Sequence, residues 1–358
     1  MTSFEPRPYL LVNQIQPYVW GTRGEDAFIP RLLGIEPEDD QPYAELWMGT
    51  HPNAPSQVAI DGAQMSLARL IDQHPRQALG ERVTDTFSGD LPFLFKVLST
   101  AEALSIQAHP TREQAIRLHV QHPEHYPDDN HKPELAVALD SLTALWGFKP
   151  YSGILRALER YPEMATFIGR DAVDGCRAVA GSDRRQQRRR LRELFARLVA
   201  RAAAQQDELA QAVHSLADRL RGAKPLREEE RLFLDLHDKY ADVGLFVIFL
   251  LNLVHLGAGQ GLYTPAGVPH AYLKGNIIEC MANSDNVVRA GLTPKFKDSA
   301  TLVDILTYEM GPPPIIEGAA DTVDVIYHTP VREFQVARLR MQPGQERTGS
   351  TDDAPQIL

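Results

Sequence analysis

A short stretch near residue 270 combines tight-turn residues with a histidine that could bind a metal. Residues 265–270 read PAGVPH, the pattern Pro-x-Gly-x-x-His, and a glycine stands at position 259. Pro265 sets φ and Gly267 permits a positive φ, so we predict a tight reversal between two strands. His270 would then start a strand and face a barrel interior or its mouth, where imidazole is a good zinc ligand. The alternative is a core histidine bonded to a backbone carbonyl, because short motifs also occur by chance.

A second group of polar side chains falls in LSIQAHP, residues 104–110. Alternate residues of a strand face the same side, so Ser105, Gln107 and His109 share one face. The inward row of a core strand would be apolar, and this row is polar. Taken alone, a strand with its polar face in water explains the pattern slightly better.

A carboxylate opens the next predicted strand, in DDNHKPELAVAL at residues 128–139. Glu134 runs directly into apolar residues, so it needs solvation or a cationic partner such as a metal. The candidate ligands are then Gln107, His109, Glu134 and His270. Two imidazoles, one carboxylate and one amide oxygen suit Zn²⁺ with open water positions, which is typical of catalytic sites.

The composition is that of an ordinary soluble globular protein of two or three domains. The chain has 358 residues, with 43% hydrophobic and 23% charged residues. A net charge of −10 argues against a general affinity for nucleic acid. Only Cys176 and Cys280 occur, so neither a disulfide framework nor a cysteine zinc site is expected, and a reducing compartment is indicated.

Neither the N-terminus nor the most apolar run indicates export or membrane insertion. Glu5, Pro6 and Pro8 interrupt the region where a signal peptide needs apolar residues. The run at residues 243–256, VGLFVIFLLNLVHL, is shorter than a membrane span, and we predict that it forms a buried helix. We therefore predict a cytoplasmic protein with no membrane partner and no nucleic-acid partner.

The periodicity of apolar residues changes twice along the chain. Short runs between turn residues predict strands before residue 150, and spacings of three and four predict helices from about 152 to 254. The arginine-rich run at residues 184–192 lacks interleaved aromatics, so we interpret it as a solvated helix face. One further helix is predicted at residues 299–309, and short strands are predicted at 312–358.

Five segments together resemble the type I mannose-6-phosphate isomerases (phosphomannose isomerases), zinc enzymes of the cupin superfamily. The resemblance implies a mainly β fold with an α insertion: two cupin (jelly-roll) β-domains plus a helical domain. The second cupin is expected to be incomplete, because the chain stops at Leu358. The segments are PYVWGT (17–22), YAELWMGTHPNAPS (43–56), PFLFKVLS with LSIQAHP (92–110), NHKPELAVAL (130–139) and YTPAGVPHAYLKGNIIECMANSDNVVRAGLTPKFKD (263–298).

The expected domain boundaries follow from the position of the helical block between these segments. Residues 1–150 would form the N-terminal part of the catalytic cupin, and 256–310 its remainder. Residues 151–255 would form the helical insertion, and 311–358 a short C-terminal cupin-like domain.

The resemblance also implies an activity and a set of site residues. Gln107, His109, Glu134 and His270 match the family's ligands for one Zn²⁺ per chain, and Arg289 matches its active-site arginine. The implied reaction interconverts mannose 6-phosphate and fructose 6-phosphate through an enediolate. The implied partner is a small sugar phosphate, and we expect a monomer, with a dimer as the alternative.

The residues that move protons and bind phosphate are less narrowly defined by the sequence. Glu279 and Lys132 are candidate bases, His131 is a candidate for ring opening, and Asp285 is a further candidate catalytic residue. Structural salt bridges explain these residues almost as well, including a pair between Asp285 and Arg289. For the phosphate, the candidates are Ser105, Lys96 and Lys295.

Two other functions fit a cupin-like sequence. A metal-dependent oxygenase would contain iron and usually more imidazole ligands, and a non-catalytic sugar-binding cupin would lack the metal set or the charged residues. The metal content of the purified protein would distinguish these alternatives from the zinc isomerase.

Overall fold

The first part of the chain supplies most of a large antiparallel sheet and a set of short helices. The computed structural model describes residues 4–318, 324–351 and 353–358. The strands of this part are β1 (Leu11–Val12), β2 (Gln14–Gln16), β3 (Glu45–Met48), β4 (Gln57–Ile60), β5 (Ala63–Ser66), β6 (Phe93–Thr100), β7 (Ile106–Ala108) and β8 (Glu134–Phe148). Its helices are α1 (Phe28–Leu33), α2 (Leu67–Gln73), α3 (Pro75–Leu79), α4 (Glu81–Thr86) and α5 (Arg112–Gln121), with a 3₁₀ turn at Gly24–Asp26.

A helical block follows β8. Its helices bury apolar side chains that recur every three or four residues, such as Leu191, Leu194, Leu198 and Ala202 on one helix. This core continues onto the underside of β7 and β8 through Ile106 and other buried residues. The helices are α6 (Tyr151–Arg160), α7 (Pro162–Ile168), α8 (Arg170–Ala178), α9 (Arg184–Ala204), α10 (Gln206–Arg221), α11 (Glu228–His237) and α12 (Gly244–Val247), followed by a 3₁₀ turn at Ile248–Leu250.

The remainder of the chain returns to the large sheet and ends in a separate strand pair. Its elements are β9 (Leu251–Gly257), β10 (Gly261–Thr264), β11 (His270–Ala282), β12 (Val288–Gly291), α13 (Ser299–Ile305), β13 (Ile315–Ile316), β14 (Asp324–Tyr327) and β15 (Val336–Leu339). We call β14, β15 and the loop between them, residues 324–339, the C-terminal unit.

The large sheet has ten strands among the described residues and is centred on β8 and β11. Its main order is β13-β10-β8-β11-β6-β3-β2, with β9 paired to β8, and with β7 paired to both β11 and β12. The pairings place Gln107 of β7 opposite both His270 of β11 and Arg289 of β12. Residues far apart in sequence therefore meet at one end of the sheet.

The two faces of the large sheet bury different kinds of side chain. The face that we call the site face carries Glu45, Lys96, Glu134 and Glu279, all nearly inaccessible to solvent. The alternate residues point the other way, and on β8 these pack under the C-terminal unit. Charged groups on a buried face need partners, because burying an isolated charge is costly.

The prediction of a β protein with a helical part is confirmed, but the apolar run at 243–256 is a correction. We predicted one buried helix there; instead α12 ends at Val247 and β9 begins at Leu251. All of α12 is buried and β9 buries Leu251, Val254 and Leu256, so a largely apolar run does not reveal where the helix gives way to the strand. The predicted helix at 299–309 ends earlier, at Ile305. Part of the predicted C-terminal strands, residues 319–323, lies outside the described residues.

The structure tests the prediction about membrane insertion but not the predicted domain division. In the described ranges, none of the helices has both the length and the apolar character needed to cross a bilayer. The proposed boundaries at 150, 255 and 310 stay predictions.

Candidate metal centre and active site

The turn before β11 fixes His270 at the start of its strand. Gly267 has a φ of +74°, and a Cβ there would lie 2.5 Å from the carbonyl oxygen of Ile305. Only glycine satisfies both the backbone angle and this close approach. The Gly267 N–H donates to the carbonyl of His109 at 2.8 Å. The predicted tight turn is confirmed, and it joins the two histidine-bearing segments directly.

Three predicted ligands meet on the site face. The Nε2 atom of His109 lies 3.2 Å from Oε1 of Glu134, and the Nε2 atom of His270 lies 3.1 Å from Oε2 of Glu134. All three side chains are at most 2% exposed. Their ligand atoms lie within 4.8 Å of one another. We call these three residues the metal cluster.

Backbone carbonyls set the orientation of both imidazoles. Nδ1 of His109 donates to the carbonyl of Asn286 at 2.7 Å, and Nδ1 of His270 donates to the carbonyl of Val268 at 3.0 Å. A carbonyl can only accept, so each neutral ring carries its proton on Nδ1 and turns the Nε2 lone pair towards Glu134.

This arrangement fits a divalent metal ion. Nε2 of both histidines and Oε2 of Glu134 are buried, and none of the described residues offers them a hydrogen bond. Lone pairs that converge on a buried carboxylate repel one another unless a cation lies between them. Two imidazoles and one carboxylate are also ligands that zinc prefers. The residues present therefore fit zinc with at least one coordination position left for another group.

The pKa values show how closely the three groups interact. Burial alone would raise the pKa of Glu134, but the adjacent His109 and His270 hold it well below its usual range. Burial lowers the pKa of His109, which outweighs the opposing effect of Glu134. Burial would also lower the pKa of His270, but the effects of Glu134 and of the Val268 carbonyl together outweigh it and raise that pKa. An anionic carboxylate thus sits beside at least one neutral imidazole, as metal binding requires.

Gln107 lies beside the metal cluster. Its Cα pairs with that of His270 across β7 and β11, and its side-chain oxygen is 3.5 Å from the Ser105 hydroxyl. The predicted shared face of Ser105 and Gln107 is consistent with this contact. The role of Gln107 as a metal ligand stays a prediction.

A second group of buried charges lies farther along the site face. Nζ of Lys96 lies 3.1 Å from Glu279 and 3.6 Å from Glu45. The ammonium also stands 5.4 Å above the ring of Trp47, whose indole N–H donates to Glu45. We call Lys96, Glu45 and Glu279 the lysine cluster. Burial, followed by the opposing charge of Lys96 and the repulsion of Glu134 and Glu45, leaves the pKa of Glu279 raised.

Arg289 carries a charge that the described chain leaves unmatched. Among the described residues, no carboxylate lies within ion-pair distance of its guanidinium. Burial lowers the pKa of Arg289, as expected for a half-buried cation without a partner. It lines a cavity of about 150 Å³ with His125, Tyr126, Phe296 and Asp298. The alternative of a salt bridge with Asp285 is not formed.

The other candidate catalytic residues occupy different positions around the metal cluster. Lys132 is almost buried, with Nζ 3.6 Å from Oε1 of Glu134. Asp285 accepts from Nε2 of His51 at 3.2 Å. His131 points elsewhere: its Nε2 lies 2.7 Å from Glu333 of the C-terminal unit. The structure thus brings Lys132 to the metal cluster and leaves His131 outside it.

The three phosphate candidates also differ in their surroundings. Ser105 is half-buried next to Gln107, and Lys295 is exposed. The ammonium of Lys96 is already balanced by two carboxylates. The phosphate roles of all three stay predictions.

Several groups at the site were not identified from the sequence. Glu45, Asn286 and Glu333 contact Lys96, His109 and His131 respectively. Period-two alternation in AELWM would have placed Glu45 and Trp47 on one face, which is a usable signal for a polar inner row. No local pattern indicates Asn286 or Glu333, since their partners lie 177 and 202 residues away.

Comparison with known proteins gives a consistent result. A family model for the catalytic domain of type I phosphomannose isomerase matches residues 9–151. The mannose-6-phosphate isomerase of Mus musculus is 39% identical over 99% of this chain and 87% of its own length. That of Homo sapiens is 41% identical over 85% of this chain and 74% of its own length.

Solved structures show the same similarity in three dimensions. A variant of phosphomannose isomerase from Salmonella typhimurium superposes with a TM-score of 0.80 at 33% identity, covering 92% of this chain and 82% of that chain. A zinc-bound mannose 6-phosphate isomerase has a TM-score of 0.78 at 34% identity with the same coverage. The predicted cupin fold, mainly β with helices, is confirmed by these similarities.

Proposed function

The chain belongs to the type I phosphomannose isomerase family, and we propose that it interconverts mannose 6-phosphate and fructose 6-phosphate at the metal cluster. One observation carries this proposal: two histidines and a glutamate converge on one another, with buried lone pairs that no donor in the described part of the chain satisfies. The partner is a small sugar phosphate, as the names of the relatives indicate.

Zinc is the cofactor, with one ion per chain, held by His109, Glu134 and His270. We assign Gln107 as the fourth ligand, because it stands opposite His270 on the neighbouring strand. When bound, the ion supplies a positive charge that polarises the sugar carbonyl and stabilises negative charge at O1 and O2.

The isomerisation moves the hydroxyl proton between O2 and O1 of the open-chain sugar, and it moves one carbon-bound proton between C2 and C1. We assign this transfer to Glu279, because its raised pKa brings the carboxyl closer to the working pH of a general base. Glu279 would take the proton from C2, leaving an enediolate, and return it to C1. Lys132, 3.6 Å from Glu134, is the alternative base.

Arg289 is assigned to the negative charge of the substrate. A guanidinium with no carboxylate partner in the described chain is free to bind an anion, and its planar donors suit phosphate or enediolate oxygens. Its position opposite Gln107 puts it within one strand of the metal cluster. Ser105, whose hydroxyl lies beside the side chain of Gln107, and Lys295 are the proposed further contacts to the phosphate.

A coupled assay for fructose 6-phosphate tests the proposal. Protein as purified, protein after chelation, and protein with zinc restored are each given mannose 6-phosphate. Activity that disappears on chelation and returns with zinc supports the isomerase. Folded, zinc-loaded protein that does not turn over would refute it, and iron content with oxygen consumption would support the oxygenase alternative instead.

Arg289→Lys distinguishes two roles of Arg289: binding the substrate phosphate in the ground state, and stabilising the negative charge of the enediolate. Lysine keeps the positive charge but loses the planar set of donors. If Arg289 stabilises the enediolate, kcat falls with little change in KM, whereas a role in ground-state phosphate binding raises KM.

A further inference from the structure

We propose that Glu333 of the C-terminal unit is a positioning residue that ties together the two segments carrying His109 and Glu134 and thereby sets the affinity of the metal cluster. The inference rests on the proposed function only in taking zinc as the bound ion.

The carboxylate of Glu333 contacts both segments at once. Its Oε1 atom lies 2.7 Å from Nε2 of His131 and 3.3 Å from the guanidinium of Arg112. Arg112 follows His109 by three residues, and His131 precedes Glu134 by three. One oxygen atom therefore holds a point close to each of two ligands that are 25 residues apart in the chain.

The connections between these contacts and the ligands are short and stiff. The segment from His109 to Arg112 contains Pro110, and the segment from His131 to Glu134 contains Pro133. Proline fixes φ, so a displacement at either contact is transmitted to the ligand more directly than through flexible residues. Arg112 is also the first residue of α5, whose N-terminus is closed by a capping box at Thr111.

The C-terminal unit holds Glu333 firmly in place. The next residue, Phe334, is buried in an apolar cluster with Leu135 and Val137 of β8. The second carboxylate oxygen, Oε2, accepts the backbone N–H of Arg332 at 3.1 Å. The side chain of Glu333 is only 8% exposed, although it belongs to a loop.

The charge of Glu333 is maintained despite its burial. Burial raises its pKa, but the hydrogen bond and charge of His131, together with backbone N–H donors, outweigh that effect and leave the pKa at about 2. The group is therefore an anion at neutral pH, and a charge-assisted hydrogen bond to His131 is stronger than a neutral one. A glutamine at this position would keep the shape and lose this strength.

Zinc affinity measured without substrate tests the proposal. Full-length chain is depleted of zinc, and its dissociation constant is obtained by competition with a chelator of known affinity. We expect Glu333→Gln to weaken zinc binding about tenfold, the lower end of the range for residues that support metal ligands. Asp324→Asn is the matched control, because it removes an ion pair with Arg347 in the same C-terminal region and touches neither ligand segment. It should stay within about twofold of the wild type.

The route of the effect is tested with His131→Asn and the double variant. If Glu333 acts through His131, then Glu333→Gln changes zinc affinity far less in the His131→Asn background than in the wild type. A second variant, Arg112→Gln, weakens the contact with Glu333 from its solvent-exposed side. It replaces Glu333→Gln in the test if Glu333→Gln does not fold.

Two results would overturn the proposal. One is a zinc affinity within twofold of the wild type for folded Glu333→Gln, or for Arg112→Gln if Glu333→Gln is unfolded. The other is an equal loss of affinity in Asp324→Asn, which would indicate a general loosening. Neither result depends on turnover, so a chain that binds zinc as expected but lacks isomerase activity would refute the proposed function and leave this inference standing.

Discussion

The metal cluster and the lysine cluster lie on the same face of one sheet, yet only in the metal cluster do buried polar atoms lack a hydrogen-bond partner among the described residues. In the lysine cluster, Lys96 is flanked by Glu45 and Glu279, and the indole of Trp47 donates to Glu45. In the metal cluster, the atoms that meet at Glu134 include two imidazole nitrogens and a carboxylate oxygen without hydrogen-bond partners.

The difference indicates which of the two clusters lacks a ligand atom that the chain does not supply. Burial is costly for any charge that remains unpaired, so a folded chain normally matches buried charges internally. The lysine cluster follows that rule with one cation and two carboxylates. In the metal cluster, Lys132 lies 3.6 Å from Oε1 of Glu134, but Oε2 and both imidazole Nε2 atoms have no hydrogen-bond partner among the described residues, and a cation from solution would complete them.

The largest expected loss of stability follows from a substitution in the lysine cluster. Lys96→Met leaves Glu45 and Glu279 buried without their cation, and breaking a buried pair in this way costs about 3–5 kcal/mol of unfolding free energy. Urea unfolding of the zinc-free protein measures it. Lys96→Met with Glu279→Gln is the matched control, since removing a carboxylate as well should restore part of the loss. A loss below about 1 kcal/mol for the single variant would mean that the pair contributes little net stability.

Zinc should stabilise the protein by binding at the metal cluster and not at the lysine cluster. At a zinc concentration about a hundred times its dissociation constant, binding stabilises the wild type by about 2.7 kcal/mol. Glu134→Gln removes the anionic ligand, so this stabilisation should largely disappear and activity should fall by more than about a hundredfold. Unfolding with zinc and with chelator gives the first value, and the coupled assay gives the second. Equal stabilisation of both proteins by zinc would place the ion elsewhere.

The residues of the metal cluster could be selected from the sequence because each belongs to a local pattern. His270 follows a turn that requires glycine at Gly267, and His109 shares a strand face with Gln107 by simple alternation. Glu134 was identified as a carboxylate at the start of an apolar strand that needs either solvation or a cationic partner. Only the structure shows that His109, Glu134 and His270 lie close together.

The sequence did not predict contacts between residues far apart in the chain. It also did not predict the change from helix to strand within one apolar run. Glu333 contacts His131 across 202 residues, and neither residue type indicates the other. The predicted helix over 243–256 was wrong, because apolar residues on every side carry no period that separates a buried helix from a buried strand.

Glu333 provides a weaker test of whether a buried carboxylate is balanced by the chain. Its pKa of about 2 lies below the ordinary value of 4.5. The pair with His131 therefore stabilises the fold fully above pH 4.5, and this contribution is lost as the pH falls towards 2. We expect Glu333→Gln to reduce the loss of thermal stability between pH 4.5 and pH 2. Thermal unfolding across that range measures it, and identical slopes for variant and wild type would show that the carboxylate is not balanced by the chain.

The smallest effect is expected where charges face water. On α9, Glu193 accepts from Arg189 at 3.0 Å and from Arg190 at 2.6 Å, and all three side chains are at least 44% exposed. Exposed pairs contribute at most about 1 kcal/mol, since water and salt already screen both charges. Arg189→Ala also leaves Glu193 paired with Arg190, so its cost in urea unfolding should be below about 0.5 kcal/mol. If Arg189→Ala lowered the free energy of unfolding as much as Lys96→Met, burial would not explain the difference between these ion pairs. An exposed pair would then contribute as much stability as a buried one.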